Sequence, residues 1–181
     1  SSQRPGSDQK YQLVDSRLVG KAPKNLSAGQ IAAMPLTTIT AYEILIDHLL
    51  LKFKKNYASG KKILIINGAG GVGSILIQLS AYLGLEVFTT AHSQQAKKMA
   101  QAVPDQKKFL ITLFWILIMI LKKMSFDYIV FLYDPSVYLD KVIRHIKPFG
   151  RLVSIVGTDK GLHLGYLKKH WCTIFLGIHV C

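Results

Sequence analysis

The residues best placed to do chemistry are Gly68, Gly70 and Gly73, spaced G-x-G-x-x-G within Gly68-Ala69-Gly70-Gly71-Val72-Gly73. An apolar run, KKILIIN (Lys61 to Asn67), precedes them, and a second, SILIQLSAYLG, follows. Between a strand and a helix, glycines at this spacing have separate tasks. Gly68 makes the tight turn, Gly70 lets backbone approach a pyrophosphate, and Gly73 lets the helix pack closely on the strand. The first N–H groups of the helix lack partners inside it and lie at its positive dipole end, so the turn as a whole is suited to hold phosphate. The competing reading is a tight turn that binds nothing.

The next apolar run, LEVFTT, reads as the neighbouring strand, and its tip is Thr89-Thr90-Ala91-His92-Ser93. A carboxylate at such a tip would grip a ribose 2′-hydroxyl. There is none here, since Glu86 stands at the other end of the strand. Thr90, Ala91, His92 and Ser93, with Lys97 and Lys98 in the polar helix that follows, could instead meet a 2′-phosphate, which a carboxylate would repel. The expected cofactor is therefore NADP(H) rather than NAD(H). Lys97 and Lys98 also read as an ordinary solvated helix face.

Elements must position these groups. Tyr11 to Asp15 (YQLVD) reads as a short strand, and Ser27 as the N-cap of a helix through Ala33 that Pro35 stops. Apolar residues at helical spacing run from Thr37 through Leu51. The strand from Lys61, the helix ending near Gly84 and the LEVFTT strand then make one βαβ unit. Ser93 can cap a helix through Ala102, Phe126 to Leu132 reads as a buried strand, and Pro135 opens a helix through Ile146. Lys147-Pro148-Phe149-Gly150 breaks that helix, and RLVSIVG (Arg151 to Gly157) reads as another buried strand. Alternation sustained from Lys61 to Gly157 predicts an α/β fold with a doubly wound parallel sheet.

Composition narrows the function classes. Half of the 181 residues are apolar and 18% are charged, which suits a packed globule and not a disordered tail. Lys plus Arg number 23 against 10 acidic residues, a formal charge of +13 that invites an anionic partner. The lysines fall in scattered pairs such as Lys54-Lys55, Lys61-Lys62 and Lys168-Lys169, without an aromatic RNA-binding motif or zinc-finger spacing, so no specific nucleic acid is expected. Cys172 and Cys181 are too few for a disulfide framework, and the N-terminal stretch lacks the apolar core of a signal peptide. A reducing cytoplasm is expected. The run Phe109 to Leu121 is too short to span a bilayer and reads as a buried strand followed by a core helix. His170, Cys172, His179 and Cys181 do not match structural zinc spacing, so no metal is expected. His48, His145 and His163 are isolated, and no nucleophile-base pair or general acid can be named.

From Tyr11 onward the chain resembles medium-chain dehydrogenase/reductases of the zinc-free quinone oxidoreductase and "zinc-type alcohol dehydrogenase-like" branch. The matching blocks are Ala32-Ala33-Met34-Pro35-Leu36, Thr40-Ala41-Tyr42, Asn67-GAGGVG and Arg151 to Gly157, in the family's order. The resemblance implies a Rossmann cofactor domain, Thr40 near the nicotinamide, and Val156 and Gly157 in the loop beside it. It also implies that the family's N-terminal barrel-like catalytic domain is present only as a remnant. The expected division is 1–33 for the tail of that domain, 34–165 for the Rossmann domain and 166–181 for a return segment. The implied function is NADPH-dependent hydride transfer to a small-molecule quinone, enone or activated carbonyl, carried here as a cofactor-binding fragment, with a homodimer as the compatible assembly. The apolar run 109–121 departs from the family pattern. The competing functions are a non-catalytic nucleotide-binding module and a basic protein that binds nucleic acid or an acidic membrane surface.

Overall fold

Apolar runs without alternation need cover on both faces, and a parallel sheet with helices on each side supplies it. The structure is a computed structural model and describes residues 10–90, 111–112, 124–158, 165 and 172–176. Its strands are β1 (Lys62–Ile66), β2 (Glu86–Thr90), β3 (Ile111–Thr112), β4 (Phe126–Phe131), β5 (Ile146–Ser154) and β6 (Thr173–Leu176). All pair in parallel, in the order β3-β2-β1-β4-β5-β6. The chain therefore winds from β1 first to one side and then to the other, the doubly wound Rossmann order that the alternation predicts.

Side chains alternate along each strand and divide the core in two. Ile63 and Ile65 join Val87, Val130 and Val153 beneath Ala41, Ile44, Leu45, Leu76 and Ile77. Those last residues come from α2 (Pro35–Glu43), its π-helical extension Ile44–His48, and α3 (Gly71–Tyr82). On the other face Leu64 and Ile66 join Phe88, Ile129, Phe131 and Leu152 beneath Tyr138, Leu139 and Val142. Ahead of α2, α1 (Ala28–Ala33) is started by a capping box in which Ser27 and Gln30 satisfy each other's backbone N–H groups. Pro35 does not only end α1. It occupies the first turn of α2, where its missing N–H costs nothing.

The entry edge of the sheet is tied by Asp127. Its Oδ2 accepts from the Lys62 N–H at 2.8 Å and from Lys147 Nζ at 2.8 Å, so one carboxylate joins the starts of β1, β4 and β5. Asp127→Ala should lower stability by about 2 kcal/mol, chiefly because a half-buried N–H loses its charged acceptor. Thermal melting should then start roughly 4–8 °C lower. A melting curve superimposable on wild type would show that water replaces the carboxylate without loss.

The structure departs from the sequence expectations in several places. Tyr11 to Asp15 pairs with no strand among the described residues and is largely exposed, leading into a 3-10 turn at Ser16–Leu18. The helix expected through Leu51 ends at His48, and Leu49 and Leu51 are buried from a loop. The helix expected from Pro135 to Ile146 is broken into a 3-10 turn (Pro135–Val137), a short α-helix (Leu139–Val142) and a second 3-10 turn (Ile143–His145). Lys147 to Gly150, expected as a break, is a bulge inside β5, and that strand ends at Ser154 rather than Gly157. The helix expected over 93–102 lies outside the described residues, as does 109–121 apart from β3. No helix among the described residues is long and apolar enough to cross a membrane.

Candidate cofactor site

Because the strands are parallel, their C-terminal ends share one edge, and in a doubly wound sheet that edge has a crevice where the winding reverses. Here it lies between β1 and β4. The glycine turn sits on it: Asn67 closes β1 in the left-handed region (φ 63), and α3 starts at Gly71 with Gly70 as its N-cap. Gly71, Val72 and Gly73 therefore form the first helical turn, earlier than the Ser74 start the sequence suggests. The first ladder bond there runs from the Ser74 N–H to the Gly70 carbonyl (2.9 Å). Helix geometry leaves the preceding N–H groups without partners in the helix.

The glycines differ in what holds them. A methyl group on Gly68 would collide with the Thr89 side chain, and one on Gly73 with the backbone of Gly68. One on Gly71 would come within 3.0 Å of Thr37 Cγ2, a side chain of α2. One on Gly70 would meet no atom of the described residues within 4 Å, and the backbone there (φ −80, ψ −179) is ordinary extended chain. Ala69 and Val72 are half-buried in the same turn.

Hydroxyls lock the turn to the neighbouring strand. Thr90 Oγ1 accepts from the Asn67 N–H at 2.8 Å, the Gly68 N–H donates to the Thr90 carbonyl at 3.1 Å, and Thr89 Oγ1 donates to the Ile65 carbonyl at 3.0 Å. Thr90 is buried, so its described role is to fix the turn. Thr40 is buried too, and its hydroxyl donates to the Leu36 carbonyl of its own helix at 2.9 Å. Val156 and Gly157 lie exposed at the exit of β5, on the same edge as the turn, where Ser154 Oγ donates to the Val156 carbonyl (2.6 Å). Ala91, His92, Ser93, Lys97 and Lys98 lie outside the described residues. At the exit of β4, Tyr133 is half-exposed and meets buried Tyr138 edge-on at 6.3 Å; burial pushes the Tyr138 phenol up, and the neighbouring Tyr133 adds to this. Among the described residues no His, Cys, Asp and Glu cluster could hold a metal ion.

No family model matches the chain. It is 39% identical over 173 residues to a zinc-type alcohol dehydrogenase-like protein of Staphylococcus aureus (strain COL), which covers 93% of this chain and 50% of that protein. It is 31% identical over 158 residues to the chloroplastic NADPH-dependent alkenal/one oxidoreductase of Arabidopsis thaliana, covering 84% of this chain and 36% of that protein. The solved structure of an alcohol dehydrogenase superfamily protein from Novosphingobium aromaticivorans is similar at TM-score 0.72 and 27% identity, covering 89% of this chain and 46% of that one. The chain belongs to the medium-chain dehydrogenase/reductase superfamily.

Within that superfamily it spans about half the length of the curated relatives it matches. Two contributions to the turn escaped the sequence reading of this chain. Thr37 is the α2 threonine against the glycine turn, and Asn67 supplies the left-handed residue that starts it. Asn67 could have been found, since asparagine directly before a glycine turn often takes positive φ. Thr37 could not, because helical spacing alone puts Thr37 and Thr40 near one face.

Proposed function

We propose that this chain forms the cofactor-binding part of an NADPH-dependent oxidoreductase that reduces a quinone, an enone or another activated carbonyl. The reading rests on Gly70. Packing requires glycine at 68 and 73, yet neither packing among the described residues nor backbone conformation requires it at 70. A glycine of that kind, at the N-terminus of α3 and beside the crevice between β1 and β4, fits a pyrophosphate laid against bare backbone.

In this reading Gly68, Ala69, Gly70, Gly71, Val72 and Gly73 hold the pyrophosphate. Thr90, Ala91, His92, Ser93, Lys97 and Lys98 surround the ribose and its 2′-phosphate, and Thr40, Val156 and Gly157 belong to the nicotinamide end by family resemblance. The Arabidopsis relative's name, which carries both NADPH dependence and an alkenal or enone substrate, supports the choice. The bound cofactor supplies the hydride, while the chain binds it and orients it. Residues 34–165 form this domain, 1–33 belong with a catalytic domain, and 166–181 return toward it. A cytoplasmic setting and a homodimer complete the reading.

Gly70→Val tests it. Valine tolerates extended backbone, so stability should fall by no more than about 1 kcal/mol, the cost of a poor N-cap residue. The added side chain should fill the space of the pyrophosphate, and NADPH affinity measured by calorimetry should drop by at least roughly ten-fold. Unchanged affinity would remove the glycine turn from the site.

A further inference from the structure

The loop that precedes β1 carries a second surface, at the sheet edge opposite the glycine turn. Its sequence, KFKKNYASGKK, holds Lys52, Lys54, Lys55, Lys61 and Lys62, and the chain has no Asp or Glu between Asp47 and Glu86. Lys61 donates to the Tyr128 hydroxyl and Lys62 lies 4.0 Å from Glu86. Lys52, Lys54 and Lys55 are exposed and have no ion-pair partner among the described residues. Between them Phe53 packs against Tyr42 and Tyr82, with ring centroids 5.4 Å apart in each pair. All three rings are 41–48% exposed, and Tyr57 beside them is equally open.

This loop is fixed in place. Leu51 and Ala58 are buried at its two ends, the Asn56 N–H donates to the Tyr82 carbonyl (3.1 Å), and the Ala58 N–H donates to the Leu83 carbonyl (2.8 Å). Asn56 takes a left-handed conformation (φ 59) against Gly84 (φ 85), whose Cβ position would fall 2.9 Å from Asn56 Cα. The loop thus sits at the C-terminus of α3, a helix of 12 residues and so about 18 Å from the cofactor turn at its start. On the same edge, in the β5 bulge, Phe149 is 75% exposed and held at φ 61, a conformation costly for a bulky side chain.

We propose that this edge docks on an anionic phospholipid surface, with Phe53, Tyr42, Tyr57 and Tyr82 at headgroup level and Lys52, Lys54 and Lys55 on the phosphates and carboxylates. Aromatic rings with one polar end favour that depth, and each lysine near a negatively charged leaflet adds attraction. Nucleic acid fits the same charge less well. Stacking needs open ring faces, whereas these rings lean on one another at 52° and 31°. The inference does not depend on the cofactor reading, because the two surfaces lie at opposite edges.

Sedimentation of the chain with phosphatidylcholine vesicles containing about 30% phosphatidylserine tests it. Binding should be clear on these vesicles, absent on pure phosphatidylcholine, and weaker as salt rises. Replacing Lys52, Lys54 and Lys55 together by Gln should weaken it on the order of a hundred-fold, taking about 1 kcal/mol per lysine and 1.4 kcal/mol per factor of ten. The matched triple Lys10, Lys21 and Lys24 to Gln removes the same charge from exposed positions elsewhere and should cost at most a few-fold. Phe53→Ser, with every lysine kept, should weaken vesicle binding as well. NADPH affinity should stay unchanged in all these variants. Equal losses in the two triples would reduce the effect to bulk charge and overturn the proposal. So would no vesicle binding by wild type, or tighter binding to a single-stranded oligonucleotide lost in the loop triple.

Discussion

Gly73→Ala is expected to lower the melting temperature by roughly 6–12 °C, while Gly70→Ala, three residues away in the same turn, leaves it nearly unchanged. The difference lies in what the new methyl group meets. At 73 it strikes the backbone of Gly68, which is pinned from its other side by the Thr89 side chain and by its own N–H bond to Thr90. Backbone held on two sides cannot retreat as a flexible side chain does. The overpacking cost should therefore reach the top of its usual range, about 3 kcal/mol. For a chain of this size each kcal/mol moves the midpoint by about 2–4 °C. At 70 the methyl group meets nothing among the described residues within 4 Å. Alanine there also restricts the unfolded chain, an effect of about 0.4–1 kcal/mol in the stabilising direction, set against a poorer N-cap. Gly71→Ala should fall between the two, since Thr37 Cγ2 at 3.0 Å is the tip of a side chain that can shift. Calorimetric scans of the three variants give the order directly. Equal losses at 70 and 73 would mean that the close approach of α3 to the turn is not what Gly73 serves.

The same turn illustrates what the sequence carries and what it does not. β1, β2 and β4 were legible to within a residue or two because each is a short apolar run buried on both faces and bounded by turn residues such as Gly60 and Gly84. The roles of Gly68 and Gly73 were legible because close packing leaves glycine as the only choice. Leu49 and Leu51 misled the reading of α2. They are buried from a loop, and burial without regular structure has no period to detect. Alternation in Tyr11 to Asp15 suggested a strand, but a strand exists only by pairing, and none of the described residues pairs with it. Lys147 to Gly150 read as a break because Pro and Gly usually punctuate. In the structure the same residues bulge out of β5, with Phe149 at positive φ, and the strand continues beyond them. Which threonine of α2 meets the turn depended on how two helices pack, information that no single segment contains.

NADPH is expected to bind about ten-fold to a hundred-fold more tightly than NADH, a prediction that comes from the absence of an acid at the tip of β2. β2 ends at Thr90, and the Thr90 hydroxyl is already engaged by the Asn67 N–H, so the choice falls to the residues just beyond it. These are Ala91, His92 and Ser93, with Lys97 and Lys98 following. One charge-assisted hydrogen bond to the 2′-phosphate contributes about 1.5–3 kcal/mol, which sets the size of the expected preference. A carboxylate at the tip would act in the opposite sense, accepting from both ribose hydroxyls and repelling the phosphate. Ala91→Asp or His92→Asp should therefore reverse the order of the two cofactors. The reversal should come as a loss of NADPH affinity together with a gain for NADH, because a merely damaged site would lose both. Fluorescence titration of each reduced cofactor against wild type and both variants measures it. Equal affinities in the wild type would remove the 2′-phosphate from the reading of this tip. If neither variant reversed the order, the ribose would have to lie against other residues than Thr90 to Ser93.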